Sequence, residues 1–299
     1  MVTSLLARER LFAAFLLLPC FVFVIIFAFY PIAYSFYLSL HRIVLSLPGL
    51  KQPFVWFENY RHLMQDEIAV QTLMNTCIFV MVTTVFEIFF GLVIALVINR
   101  CFRGRGIVRA AVLIPWAIPT VVASQMWRFI FNDNYGLLNY VLFGSEAALY
   151  QAWLAEPFFA FASIVAADIW KTSSFAALII LAGLQTIPDE IYDAAKIDGA
   201  NAWQRFVRIT LPLLKPALLI ALLFRTMDAF RVFDLVFVMT QGGPADSTNV
   251  LQFYGYKKIF AEGLMGYGST ISVLVFLVTL CISIFYIKLL GKRLFQEKT

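Results

Sequence analysis

Four ionisable residues, Arg225, Asp228, Arg231 and Asp234, follow one another at three-residue intervals within a strongly apolar stretch. On a helix each stands about one turn from a neighbour of opposite sign. Each one alone in hydrocarbon would cost roughly 2.5–3.5 kcal/mol, so partners and an interior position are required of any membrane helix that carries them. Two uses of the set are open: groups that line a polar path, or a structural ladder of ion pairs. Steps of three drift by about 60° each around a helix of 3.6 residues per turn, so the four cannot all face one pore. Asp168 and Lys171 make another three-residue pair, whereas the partners of Glu87 and Arg128 are not evident from their neighbours in sequence.

A second constellation occupies residues 186–212, between two apolar stretches. Thr186 with Asp189 three positions on resembles a capping box, and Pro188 suits a first helical turn. Gly199 is placed to end that helix in a left-handed conformation, Asn201 can cap the next one, and Pro212 closes it. The segment reads as two short helices joined by a turn. It serves either as a plain connector of spans or as a docking element.

Other chemistry has little material. The histidines, His41 and His62, lie in one connecting segment, and Cys20, Cys77, Cys101 and Cys281 show no metal-ligand spacing. No catalytic residue or metal ligand is assigned. A G-x-x-x-x-G-K-[ST] loop for nucleotide phosphates does not occur, and Gly104-Arg105-Gly106 reads as a short basic turn.

These residues must be held by membrane-spanning helices. With 62% hydrophobic and 14% charged residues, the 299-residue chain has too little polar surface for a water-soluble fold. Crossing a bilayer takes roughly 20 apolar helical residues. Six stretches qualify, at about 11–40, 71–98, 107–131, 157–183, 216–239 and 263–287. Pro115 and Pro119 place a kink in the third. The expectation is an all-α, polytopic protein forming one membrane domain over 1–299, in contact with membrane lipid. With both termini inside, cytoplasmic segments hold fourteen lysines and arginines, from Arg8 to Lys298, against five in the outward loops, which sets both termini in the cytoplasm. The net charge of +5 is scattered between spans, giving no nucleic-acid surface.

Asp193-Ala194-Ala195-x-x-Asp198-Gly199-Ala200, followed after eight residues by Ile209-x-Leu211-Pro212, resembles the EAA loop of permease subunits of ATP-binding-cassette importers. Leu113–Pro119, Asp168–Thr172, Leu181–Pro188 and Thr240–Pro244 also look like the carbohydrate branch of that family, its trehalose-type permeases above all. The family's leading glutamate stands here as Asp193. The resemblance implies a type I importer permease fold in a bacterial inner membrane and a coupling helix seated on a separate ATPase subunit. Ala194, Ala195 and Gly199 would give that helix close approach. The implied partners are a second permease, two ATP-binding subunits that use ATP and magnesium, and an extracytoplasmic sugar-binding protein. Nothing points to a cofactor held by this chain. For sugar contact the residues of interest are Trp116, Gln125, Trp127, Arg225, Asp228 and Phe230. Gln241-Gly242-Gly243-Pro244 is either a contact for the binding protein or a surface turn. The rival functional class is a secondary transporter or channel independent of ATP, for which an internal inverted repeat is the expected mark.

Overall fold

The computed structural model describes residues 2–45 and 51–296; Lys298 lies outside the described residues. In chain order the helices are α1 (Val2–Val24), α2 (Tyr30–Ser39), α3 (Glu58–Gln65), α4 (Glu67–Asn99), α5 (Arg105–Ala117), α6 (Thr120–Ile130) and α7 (Leu137–Phe143). They continue as α8 (Pro157–Leu184), α9 (Asp189–Ile197), α10 (Ala202–Arg205), α11 (Leu211–Phe230), α12 (Asp234–Met239), α13 (Leu251–Tyr256) and α14 (Met265–Gln296). A π-helical turn at Ile25–Phe29 joins α1 to α2 without interruption, and another at Phe206–Thr210 joins α10 to α11. Among the described residues, five helical segments are long and apolar enough to cross a membrane, and a sixth span results if α5 and α6 are taken together.

The chain divides into two units. In the first, formed by the chain up to Asp66 with Gly255–Leu274, the long helix of α1 and α2 exposes large apolar side chains from Phe12 to Tyr37, as a helix in lipid does. Its end is fastened by Asn59, whose Nδ2 donates to Ser39 O at 2.7 Å and His41 O at 3.0 Å. Tyr267 donates to Asp66 Oδ2 at 2.6 Å.

The second unit, Glu67–Tyr254 with the chain from Val275 on, is built on α4, α8 and α11. Small residues set how closely they approach, as expected where lipid offers no hydrophobic drive between helices. A Cβ added at Gly91 would come within 2.8 Å of Ala176 Cβ, and one at Gly183 would collide with Ala217. Ala95, Ile98, Ile180, Leu184, Leu214 and Ala221 close the core on the side of the 186–212 segment.

Three expectations are corrected. The third span is no single kinked rod: α5 and α6 meet at 88°. Ile118 is extended there and Pro119 has no N–H to continue the ladder. The fifth span begins earlier and ends earlier than 216–239, because helix runs on from Ala202 to Phe230 and then stops, with Phe233 at φ −139°, ψ −59° before α12 starts. Pro212 accordingly does not close a helix. It lies in the first turn of α11, where a missing N–H is tolerated, and the preceding π turn carries the chain into it through Leu211 N to Phe206 O.

Candidate functional site

The intramembrane charges converge on Arg225. This side chain of α11 is 3% exposed, and Glu87 of α4 is fully buried. Arg225 donates through Nε to Glu87 Oε2 at 2.6 Å and through Nη2 to Oε1 at 3.0 Å, a bidentate pair. Thr172 of α8 donates to the same Oε1 at 2.6 Å. Two further carboxylates approach the guanidinium, Asp228 Oδ2 at 3.3 Å and Asp168 Oδ2 at 3.6 Å, and Arg231 approaches the other Asp228 oxygen at 3.4 Å. Three spans are thereby tied by one arginine.

The expected ladder holds only in part. Arg225–Asp228 and Asp228–Arg231 are one-turn neighbours as the spacing requires, but Asp234 belongs to α12, beyond the end of α11. Lys171 is not the salt-bridge partner of Asp168. Its Nζ donates to Trp116 O at 3.1 Å and Ile118 O at 2.6 Å, the carbonyls at the break between α5 and α6.

Between the two broken helices lies a polar cavity of about 250 Å³, lined by Thr120, Asp168, Lys171, Thr172, Arg225, Asp228, Arg231 and Asp234 together with residues 229, 232, 233 and 235. Asp168 Oδ2 is buried there without a hydrogen-bond donor. The lining cations are all engaged, by carboxylates or by backbone carbonyls. Of the six residues singled out for solute contact, Arg225 and Asp228 line it. Phe230 is buried, and Trp116 is half exposed and stacked on Phe175 at 5.4 Å. Trp127 packs between Phe131 and Trp170, and Gln125 lines a separate groove with Val121, Val122 and Arg128. Sequence reasoning missed Thr120 and Thr172, whose only local signal is a hydroxyl next to a proline or to a charge.

The 186–212 segment forms the expected elbow. Gly199 has φ +78°, Ala200 N bonds to Ala195 O at 2.9 Å, and Arg205 Nη1 holds Ala200 O at 3.0 Å. Asn201 and Gln204 make a reciprocal capping box. Thr186 is not a cap: its Oγ1 donates to Gly183 O at 2.8 Å, and Pro188 precedes α9 without a side-chain bond. Asp193, Ala194, Asp198 and Gly199 are exposed, Ala195 is buried, Ala200, Ile209 and Leu211 are half-buried and Pro212 is exposed. Tyr192 reaches Thr210 Oγ1 at 3.1 Å, fixing α9 to the π turn. Two residues absent from the sequence reading stand out on this elbow: Ile197 is 87% and Trp203 71% exposed, an apolar surface beside the turn. Their signal was an apolar residue out of phase with the buried face of its helix.

The turn at residues 240–249 is pinned down. Asn75 Nδ2 donates to Asp246 O at 3.2 Å and Asn249 O at 3.1 Å, and Thr248 Oγ1 lies 2.7 Å from both Thr240 Oγ1 and Gly243 O. Gly242, at φ +84°, is buried under the Phe253 ring; Gln241 is exposed, and Gly243 and Pro244 are half-buried.

Residues 87–296 match the family of binding-protein-dependent transport system inner membrane components. The chain belongs to this family. It is thus a multi-pass membrane permease, and its relatives cover it almost end to end. The trehalose/maltose transport system permease protein MalF of Thermococcus litoralis is 41% identical over 281 residues, 94% of each chain. The sulfoquinovosyl glycerol permease SmoG of Agrobacterium fabrum is 40% identical, covering 95% of this chain and 92% of that one. The trehalose permease SugA of Mycobacterium tuberculosis is 38% identical, covering 95% and 90%. Among solved structures, a bacterial transporter that imports the acidic polysaccharide alginate matches with TM-score 0.82 at 23% identity, over 97% of this chain and 98% of that one. The fold is that of an importer permease.

Proposed function

We propose that this chain is one permease of an ATP-driven sugar importer, that it carries part of the translocation path, and that it takes a neutral disaccharide such as trehalose or maltose. The observation that carries the solute reading is the cavity at the two helix breaks. Its cations are engaged, Arg225 by Glu87 and Asp168, Arg231 by Asp228 and Lys171 by backbone carbonyls, so no lining cation is left to hold an anionic solute. Hydroxyls fit that balance. The sugar class itself is supported by the names of the relatives MalF and SugA.

Work is supplied from outside the chain. In this reading the elbow at Asp193–Ala200, with Ile197 and Trp203 beside it, seats on one of two ATP-binding subunits that use ATP and magnesium, and both termini face the cytoplasm with it. A second permease completes the path, and an extracytoplasmic binding protein delivers the sugar, with exposed Gln241 in reach of it. The test is uptake of radiolabelled trehalose and maltose by cells lacking this chain and by the same cells with it restored. Restored, ATP-dependent uptake of either sugar supports the proposal. Uptake unaffected by the chain, or driven without ATP, overturns it.

A further inference from the structure

The break in the third span strands backbone acceptors that its own helices cannot serve. Ile118 N still bonds to Ile114 O at 3.2 Å, but Pro119 has no N–H and the chain then turns away, so the next carbonyls lose their donors. Lys171, 7% exposed, supplies the donors from the middle of α8, reaching Trp116 O at 3.1 Å and Ile118 O at 2.6 Å. The Trp116 ring stacks on Phe175, one turn along the same helix, with 19° between the planes. Thr120, the first residue beyond the break, shares the polar cavity with Lys171 and Asp168.

We propose that Lys171 is a positioning residue for transport: by holding the carbonyls of Trp116 and Ile118 it fixes the angle of the broken span and with it the cavity wall that Thr120 forms. The ammonium is spent on backbone and not on solute. Its loss acts through the shape of the path, and arginine, which also offers several charged donors, should substitute where an isosteric apolar chain does not.

The experiment places spin labels at Ile107 on α5 and Phe129 on α6, both exposed, in the assembled importer with native cysteines replaced. The distance distribution across the break and the uptake of trehalose are read for Lys171→Met and Lys171→Arg. The Met variant is expected to shift or broaden the distance and to lower uptake at least about tenfold, while Arg restores both, uptake to within about threefold of the parent. If the Met variant does not assemble, Lys171→Leu, which likewise lacks a donor, is read in its place by the same outcomes. An unchanged distance in the neutral variant overturns the proposal, and so does an Arg variant that recovers the distance without the uptake. A parent importer that takes up no trehalose would instead sink the solute reading, and the distance measurement would still decide the role of Lys171.

Discussion

The elbow around Gly199 and the cavity around Arg225 both depend on charged side chains, yet they use them in opposite ways. At the elbow the charges are exposed and local: Asp193 and Lys196 pair at 2.7 Å with more than half of each side chain in solvent. At the cavity they are buried and joined across three spans, with Glu87 and Arg225 138 residues apart. A water-exposed pair contributes little to stability, and removing one member of a buried pair leaves an uncompensated charge. The elbow is therefore free to change without unfolding the chain, as a surface that meets a partner must be. The buried charges hold the membrane unit together.

Breaking the buried side of this contrast has the largest expected effect. Glu87→Ala leaves Arg225 without its bidentate partner, and it should destabilise the detergent-solubilised protein by about 3–5 kcal/mol, read as a lowered thermal midpoint. Gly199→Trp comes next in the fold, with roughly 1–2 kcal/mol from a left-handed conformation that L side chains resist. A Cβ there meets nothing within 4 Å, so the chain should still fold while retention of the ATP-binding subunit in pull-downs is lost. Asn201→Ala removes the capping box and should cost about 1 kcal/mol, visible as faster amide exchange in the first turn after the elbow. Asp193→Asn should lie within about 0.5 kcal/mol of the parent, and any loss of ATP-driven uptake in it would then report docking alone.

The same contrast explains what could be read from the sequence. The elbow was legible because its signals are local: a glycine where φ must be positive, and an asparagine placed to cap the helix that follows. The spans were legible from hydropathy. The geometry of the cavity was not, because the 88° break is held by a lysine 55 residues from the tryptophan carbonyl it binds, and prolines alone specify only that the helix is interrupted. Charges within spans announced that partners were needed without naming them. The early start of the fifth span rests on a π turn at Phe206–Thr210, for which no residue type in that stretch gives a local cue.

The central claim is that a separate ATPase drives this permease through the elbow to import a sugar. Its most direct test is to purify the chain gently from its native membrane and measure ATP hydrolysis with trehalose or maltose and the sugar-binding protein added. Co-purification of an ATP-binding subunit and a second permease, with hydrolysis stimulated by sugar and abolished by Gly199→Trp, is the predicted result. Recovery of a stable chain that moves solute alone and without ATP would contradict it.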